Sequence, residues 1–189
     1  GSYGRFGQGC RLGDSGFLKF LYGGGIPSGI PYGTTQLVFK ITDWTGEHDL
    51  LSIKDASDAI NAVVTYDAAN ERIRVYSASG ITLLHSSPNN TVVQDQWYTL
   101  GLFCVVSDTT GKVSMEIWGP NNKSLDSYTG TNLDTKNDPS DTDVGTAVVM
   151  ENGTSGCNID VDCFYAVDGP TDVNIRGPVT CYGLFPVLD

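Results

Sequence analysis

The chain has 189 residues, of which 40% are hydrophobic and 17% charged, and its formal net charge at pH 7 is −11. This size and apolar content suffice for one packed domain over residues 1–189, and they exclude bulk disorder. The acidic excess disfavours nucleic acid as a partner, because phosphate backbones are bound largely through clustered Lys and Arg. No segment has the roughly 20 apolar residues that span a bilayer, and the start lacks signal-peptide features, so we expect no membrane partner.

The hydrophobic pattern predicts β-strands along the whole chain. Leu37, Phe39 and Ile41 alternate with polar neighbours, which places every second side chain on one sheet face. Residues 97–106 are nearly all apolar and predict a central strand that is covered on both faces. A turn at residues 108–111 then leads into the alternating segment 112–118, which predicts a hairpin. Further strands are predicted at residues 16–21, 50–53, 62–66, 72–76, 81–85, 146–150, 159–167 and 179–187.

Many short strands without a helical period predict an all-β domain, built as a sandwich of two antiparallel sheets. Two long loops are predicted between the strands. Residues 22–33 are rich in Gly and Pro, and residues 129–145 are polar and contain four aspartates. Loops of this length in a compact domain often carry function.

The metal-ligating residues point to calcium or to no metal. Five cysteines cannot all pair with one another, and we expect buried thiols, with the state of Cys157 and Cys163 left open. With two histidines and no C-x-x-C motif, a zinc site lacks its usual ligand spacing. Asp138, Asp141 and Asp143 offer the hard oxygen ligands that calcium prefers, although they match no EF-hand. No other cofactor is expected.

No set of catalytic residues stands out, and we expect a protein without enzymatic activity. The four glutamates are far apart in sequence, so no Glu pair lies on one strand. Asp160 and Asp162 share one face of a predicted strand, opposite Ile159, Val161 and Cys163, and offer a catalytic or calcium pair. Carboxylates that face solvent are the simpler interpretation of these two residues.

Outward aromatic rings are the best candidates for a binding site. A flat ring covers the apolar face of a pyranose while polar neighbours bind its hydroxyls. By alternation, Trp118 shares a face with Ser114 and Glu116, and Tyr76 shares a face with Arg72 and Arg74, away from the apolar sets. We therefore predict Trp118 and Tyr76 as glycan-binding residues. The alternative is that the second sheet or a loop covers these faces.

Several segments together resemble a known fold family. They are residues 4–12 (GRFGQGCRL), 50–55 (LLSIKD), 96–102 (QWYTLGL), 113–119 (VSMEIWG), 159–168 (IDVDCFYAVD) and 184–186 (LFP). In this order they resemble the concanavalin A-like lectin/glucanase jelly roll, in the laminin-G-like form found in virion proteins of tailed bacteriophages. In that phage group a strand usually precedes the first segment, so we expect that an N-terminal segment is missing here.

The resemblance implies a non-enzymatic phage virion structural protein on the virion surface, such as a capsid decoration, a fibre or a tail-associated module. Its partners would be other virion proteins and sister subunits in a homo-oligomer, together with host surface glycans. The Glu-x-Asp-x-x-Glu strand of the family's glucanases is absent, and so is the His-containing metal pattern of legume lectins. The alternative is a secreted carbohydrate-binding module of a glycan-degrading protein.

Overall fold

The structure is a computed structural model, and it describes residues 10–13, 17–21, 31–55, 57–77, 82–137, 143–149 and 157–167. Within these ranges the chain forms twelve strands, and no helix there is long and apolar enough to cross a membrane. The strands are β1 (Cys10–Gly13), β2 (Leu18–Leu21), β3 (Tyr32–Trp44), β4 (Glu47–Lys54), β5 (Ile60–Asp67), β6 (Arg72–Ser77), β7 (Thr82–Ser86), β8 (Trp97–Val105), β9 (Gly111–Trp118), β10 (Ser124–Leu133), β11 (Thr146–Val149) and β12 (Cys157–Val167).

The strands form two six-stranded sheets. Sheet A has the order β1-β12-β3-β8-β9-β10, and sheet B has the order β2-β11-β4-β5-β6-β7. All strand pairs are antiparallel. The predicted all-β sandwich of two antiparallel sheets is therefore confirmed, and the predicted strand at residues 179–187 lies outside the described residues.

The core lies between the inner faces of the two sheets. Leu37, Phe39 and Ile41 point into it from β3, as their alternation predicts, and they are fully buried. Every residue from Tyr98 to Cys104 on β8 is buried, so the predicted central strand is confirmed. β8 and β9 form the predicted hairpin, with Val105 opposite Lys112 at its end.

The two predicted loops are shorter than the sequence indicated. Leu133 ends β10, so the polar segment 129–145 begins within a strand. β10 is an edge strand of sheet A, and its side chains alternate between exposed and half-buried positions. An edge strand that faces water needs few apolar residues, which explains why the hydrophobic pattern missed it. β3 begins at Tyr32, inside the other predicted loop, and residues 22–30 lie outside the described residues.

A β-bulge in β12 changes which side chains face the core. The register between β12 and β3 shifts between Val161 and Cys163, so the extra residue reverses the alternation beyond it. Phe164 and Ala166 pack against the core, whereas Cys163 lies outside the core cluster. The prediction that Cys163 shares a face with Val161 is therefore wrong.

The expected buried thiols are present only in part. Cys163 is disulfide-bonded, and its partner is not among the described residues. Cys104 and Cys157 are buried thiols, and Cys10 is an exposed thiol. Burial raises the pKa of the Cys104 thiol to about 12, because the thiolate would lose its hydration in the core. Cys104 therefore behaves as a small apolar residue.

Candidate functional site

Trp118 does not present an exposed ring. It lies opposite Thr99 on the outer face of sheet A, outside the core cluster, as the alternation predicts. Its side chain is nevertheless only 4% exposed, and Thr99 and Phe103 on the same face are buried as well. Periodicity predicts which side of a sheet a residue takes, but it does not reveal whether that side meets water. The prediction that Trp118 offers an open platform is therefore wrong.

The predicted calcium ligands are described only in part. Asp143 is half-buried just before β11, while Asp138 and Asp141 lie outside the described residues. Among the residues that are described, no cluster of three or more His, Cys, Asp or Glu side chains could hold a metal ion. Calcium at this loop stays a prediction.

Asp160 forms a buried ion cluster on sheet A. Its carboxylate is 1% exposed and accepts hydrogen bonds from Arg11 Nε at 2.6 Å and Nη2 at 3.1 Å. Lys40 Nζ lies 2.9 Å from Asp160 Oδ2. Burial acts to raise the pKa of Asp160, but the hydrogen bonds from Arg11 and Lys40 outweigh it and lower that pKa.

This ion cluster overturns the interpretation of Asp160 as a carboxylate that faces solvent. Asp160 connects β12 to β1 through Arg11 and to β3 through Lys40. Asp162 lies at the bulge, so the two aspartates do not sit on one regular strand face as predicted. Asp160 is therefore a structural group in this sheet.

Tyr76 lies on the outer face of sheet B with Arg72 and Arg74, as predicted. These three side chains are half-buried and alternate with Ile73 and Val75, which are fully buried in the core. Tyr76 has Val63 of β5 on one side and Leu83 of β7 on the other. Leu83 is 52% exposed, so an apolar surface beside Tyr76 is open to solvent.

Glu47 of β4 connects three side chains of this face. The Tyr76 hydroxyl donates to Glu47 Oε1 over 2.9 Å, and the Thr65 hydroxyl donates to the same oxygen over 2.7 Å. Arg74 Nη1 donates to the other oxygen, Oε2. Burial raises the pKa of Tyr76, and the hydrogen bond to Glu47 adds to this shift, so the phenol stays protonated at neutral pH.

Asp67 holds the two arginines on the same face. Its Oδ2 lies 3.0 Å from Arg72 Nε and 3.0 Å from Arg74 Nη2, and it accepts a hydrogen bond from Asn70 Nδ2 over 2.8 Å. Burial acts to raise the pKa of Asp67, but the hydrogen bonds from Asn70 and Arg72 outweigh it and lower the pKa. Asp67 is therefore ionised at neutral pH.

We call these residues the Tyr76 cluster. It joins one half-buried aromatic ring to hydrogen-bonding groups whose positions are fixed by contacts across strands β4, β5 and β6. Fixed groups lose little conformational entropy when a ligand binds. The arrangement therefore suits a ligand that has an apolar face and several hydroxyl groups. The members of the cluster are Glu47, Thr65, Asp67, Arg72, Arg74 and Tyr76.

Sheet A also carries half-buried aromatic side chains, and Trp97 is one that the sequence pattern did not single out. Trp97 lies opposite Lys40 at the start of β8. Lys40 Nζ is 5.4 Å from the centre of the Trp97 ring, a cation–π contact. The same ammonium group binds Asp160, so the ion cluster holds Lys40 beside one face of this ring.

Glu47, Thr65 and Asp67 are the members of the cluster that the sequence pattern did not single out. Glu47 is 29 residues from Tyr76 in sequence, and the two meet only because β4 and β6 flank β5 in one sheet. The one available signal was the alternation of Arg72, Arg74 and Tyr76, which implied a polar sheet face that needed acidic partners.

The sequence matches no family in a comparison with models of known protein families, and it matches no curated protein. Among solved structures, the fold is similar to the CBM40 domain of an IT-sialidase from Ruminococcus gnavus, with 11% identity and a TM-score of 0.51 over 88% of this chain and 94% of that chain. It is also similar to a bifunctional GH43-CE protein from Bacteroides eggerthii, with 12% identity and a TM-score of 0.51 over 82% of this chain and 23% of that chain.

Sialidase from Trypanosoma rangeli matches with 15% identity and a TM-score of 0.48 over 72% of this chain. The chain spans about a fifth of the length of that sialidase, since the match covers 20% of it. At these identities the similarities show the fold and nothing more. The chain has the lectin-like, concanavalin A-like jelly-roll fold that its sequence predicted.

Proposed function

We propose that this chain is a non-catalytic carbohydrate-binding module, and that the Tyr76 cluster together with Leu83 forms its binding surface. The observation that carries the proposal is the position of Tyr76, a half-buried ring whose hydroxyl is fixed by Glu47 beside an exposed apolar side chain. A ring held in this way loses little freedom on binding, so contact with a sugar is gained at low entropic cost.

The surface offers a sugar both kinds of contact that it needs. Tyr76 and Leu83 supply the apolar part, which suits the C–H face of a pyranose. Asp67 on the neighbouring strand β5 and Glu47 on the next strand, β4, supply carboxylate oxygens near the ring. Arg72 and Arg74 supply N–H donors. Hydroxyl groups of a sugar can both donate and accept, so a mixed set of donors and acceptors matches them.

The fold supports this proposal. The CBM40 domain of Ruminococcus gnavus, a structure bound to α2,3-sialyllactose, has a similar fold over nearly the whole of both chains. This proposal corresponds to the second of the two functions predicted from the sequence, the carbohydrate-binding module. The proposal includes the absence of catalysis, because arginine, threonine and tyrosine side chains already engage the carboxylates of the cluster.

The setting on a phage virion stays a prediction, as do a homo-oligomer and virion partners. A virion surface and a secreted module are both extracellular, and the disulfide bond of Cys163 supports that location, because disulfides persist in oxidising surroundings. Light scattering on the purified protein distinguishes the two settings. A trimer or larger assembly favours the virion, and a monomer favours the secreted module.

The proposal is tested by measuring glycan binding of the wild-type protein and of two variants on a glycan array, followed by calorimetry. Tyr76→Ala is expected to weaken binding about 10-fold or more, since loss of one aromatic contact costs about 1.4 kcal/mol. Tyr76→Phe keeps the ring and loses only the hydroxyl, so it is expected to retain most of the affinity. Retained affinity in Tyr76→Phe also shows that the surface tolerates substitution at this site.

Trp97→Ala is the matched control, because it removes a half-buried ring from the other sheet. This variant is expected to bind like the wild type. Loss of binding in Trp97→Ala with unchanged binding in Tyr76→Ala would place the site on sheet A and contradict the proposal. Release of shortened glycan during prolonged incubation would contradict the non-catalytic part of it.

A further inference from the structure

The positive charges of the Tyr76 cluster are already compensated within the cluster. Arg74 directs Nη1 to Glu47 and Nη2 to Asp67, so both ends of its guanidinium group are engaged. Arg72 binds Asp67 through Nε over 3.0 Å. Two guanidinium groups thus face two carboxylates, and the formal charge of the four side chains is zero.

We infer that the binding surface selects neutral glycans over glycans that carry a carboxylate. This inference rests on the proposed function and names the class of its ligand. It follows from the arrangement of the arginines, since an arginine recognises a carboxylate best through two parallel N–H groups. In Arg74, Nη1 already donates to Glu47, and Nη2 lies 3.0 Å from Asp67 Oδ2 in an ion pair.

An acidic sugar that bound Arg74 in this way would have to displace one of these carboxylates. Displacing Glu47 from Arg74 would leave an anion that is only 29% exposed without its cation, close to the incoming ligand carboxylate. Displacing Asp67 would be less favourable still, because its side chain is 8% exposed. A like charge close to a poorly hydrated anion is repelled strongly.

The charge of the whole chain acts in the same direction. The net charge of −11 produces a negative potential that lowers the local concentration of anionic ligands. This long-range effect is screened by salt, whereas the repulsion inside the cluster is short-ranged and persists. The two contributions can therefore be separated by experiment.

A neutral sugar needs no such displacement. Its hydroxyl groups can donate to the carboxylate oxygens of Glu47 and Asp67 while the ion pairs with Arg74 stay in place, because a carboxylate has about four acceptor sites. Its apolar face can lie on Tyr76 and Leu83. The cluster then acts as a fixed set of acceptors beside an apolar surface.

The test uses pairs of glycans of which one member carries a carboxylate. One pair is cellobiose and its glucuronate analogue, which differ only at the oxidised carbon, and a second pair is lactose and 3′-sialyllactose, which carries an additional acidic sugar. Affinities are measured by calorimetry at 50 mM and 300 mM salt. We expect the neutral member of a pair to bind at least about 10-fold more tightly, with a preference that is still present at the higher salt concentration.

Glu47→Gln is the informative variant, because it removes the charge that compensates Arg74 and keeps an acceptor for Tyr76 and Thr65. We expect it to shift the preference toward the acidic member by about 10-fold. Asp108→Asn is the matched control: it changes the net charge by the same amount, at a side chain that is 59% exposed and lies in the β8–β9 turn. It is expected to leave the preference at 300 mM salt unchanged.

The outcomes separate the inference from the proposed function. Tighter binding of the acidic members, with binding that depends on Tyr76, overturns the inference and leaves the carbohydrate-binding module intact. An equal shift in Glu47→Gln and Asp108→Asn also overturns it, since the preference would then come from the net charge. Failure of every glycan on a broad array overturns the proposed function and the inference with it.

Discussion

Replacing Asp160 by Asn is expected to lower the free energy of unfolding by about 2 kcal/mol at pH 7. Loss of one partner from a fully buried ion pair costs about 3–5 kcal/mol, whereas exposed pairs contribute about 0–1 kcal/mol. Asp160 lies between these limits, because its side chain is 1% exposed while those of Arg11 and Lys40 are 43% and 24% exposed. For a chain of this size, 2 kcal/mol corresponds to a melting temperature about 4–8 °C lower.

The contribution of Asp160 to the free energy of unfolding is expected to decrease at low pH. The pKa of Asp160 is lowered from its ordinary value of 3.8, so the folded state binds the proton less readily than the unfolded state does. The stabilisation is therefore complete above the unfolded pKa and is lost as the pH falls through the lowered pKa of the folded state. The difference between wild type and Asp160→Asn should shrink between pH 7 and pH 2.

The assay is unfolding in urea, monitored by tryptophan fluorescence at several pH values between 7 and about 2. Asp108→Asn serves as the control, because Asp108 is 59% exposed and lies 3.4 Å from Lys136 in an exposed pair. It should change the free energy of unfolding by less than about 0.5 kcal/mol. A difference for Asp160→Asn that stays constant with pH, or one no larger than that of the control, would refute the reasoning.

Three further predictions concern packing, thiols and metal. Gly111→Ala should lower the free energy of unfolding by about 1–3 kcal/mol in urea titrations, because the added Cβ would lie 2.6 Å from the backbone oxygen of Leu133; an unchanged midpoint would contradict this packing. A thiol reagent should modify Cys10 in the native protein and Cys104 only after unfolding, as mass spectrometry of labelled peptides can show; native labelling of Cys104 would argue against its burial. Calcium binding at Asp143 requires that a chelator lower the melting temperature and that Asp143→Ala remove this response.

Local patterns in the sequence were sufficient for the strands that border the core. The alternation of Leu37, Phe39 and Ile41 and the apolar run through β8 predicted their burial correctly. These predictions succeeded because the period of a strand relates each side chain to its own neighbours in sequence. Edge strand β10 was not predicted, because its side chains are exposed or half-buried and a strand of this kind needs no apolar alternation.

The positions of Tyr76 and Trp118 show what local patterns leave open. Both residues were assigned to outer faces, yet Tyr76 is half-buried beside the exposed Leu83, while Trp118 is 4% exposed. Both residues lie in segments in which apolar and polar residues alternate, and both occupy positions away from the apolar set. Whether an outer face meets water depends on the arrangement of distant parts of the chain, which only the folded structure gives.

The sequence by itself determined the all-β class, the hairpin at residues 108–111 and the sides of the sheets on which most side chains lie, because these depend on neighbours within a few residues. The tertiary structure alone decided which side chains meet across strands. Glu47 reaches Tyr76 and Asp160 reaches Arg11 through pairings of strands that are far apart in the chain, and the bulge before Cys163 changes the face that the following residues take. Such contacts depend on register, which is fixed only when the two sheets pack together.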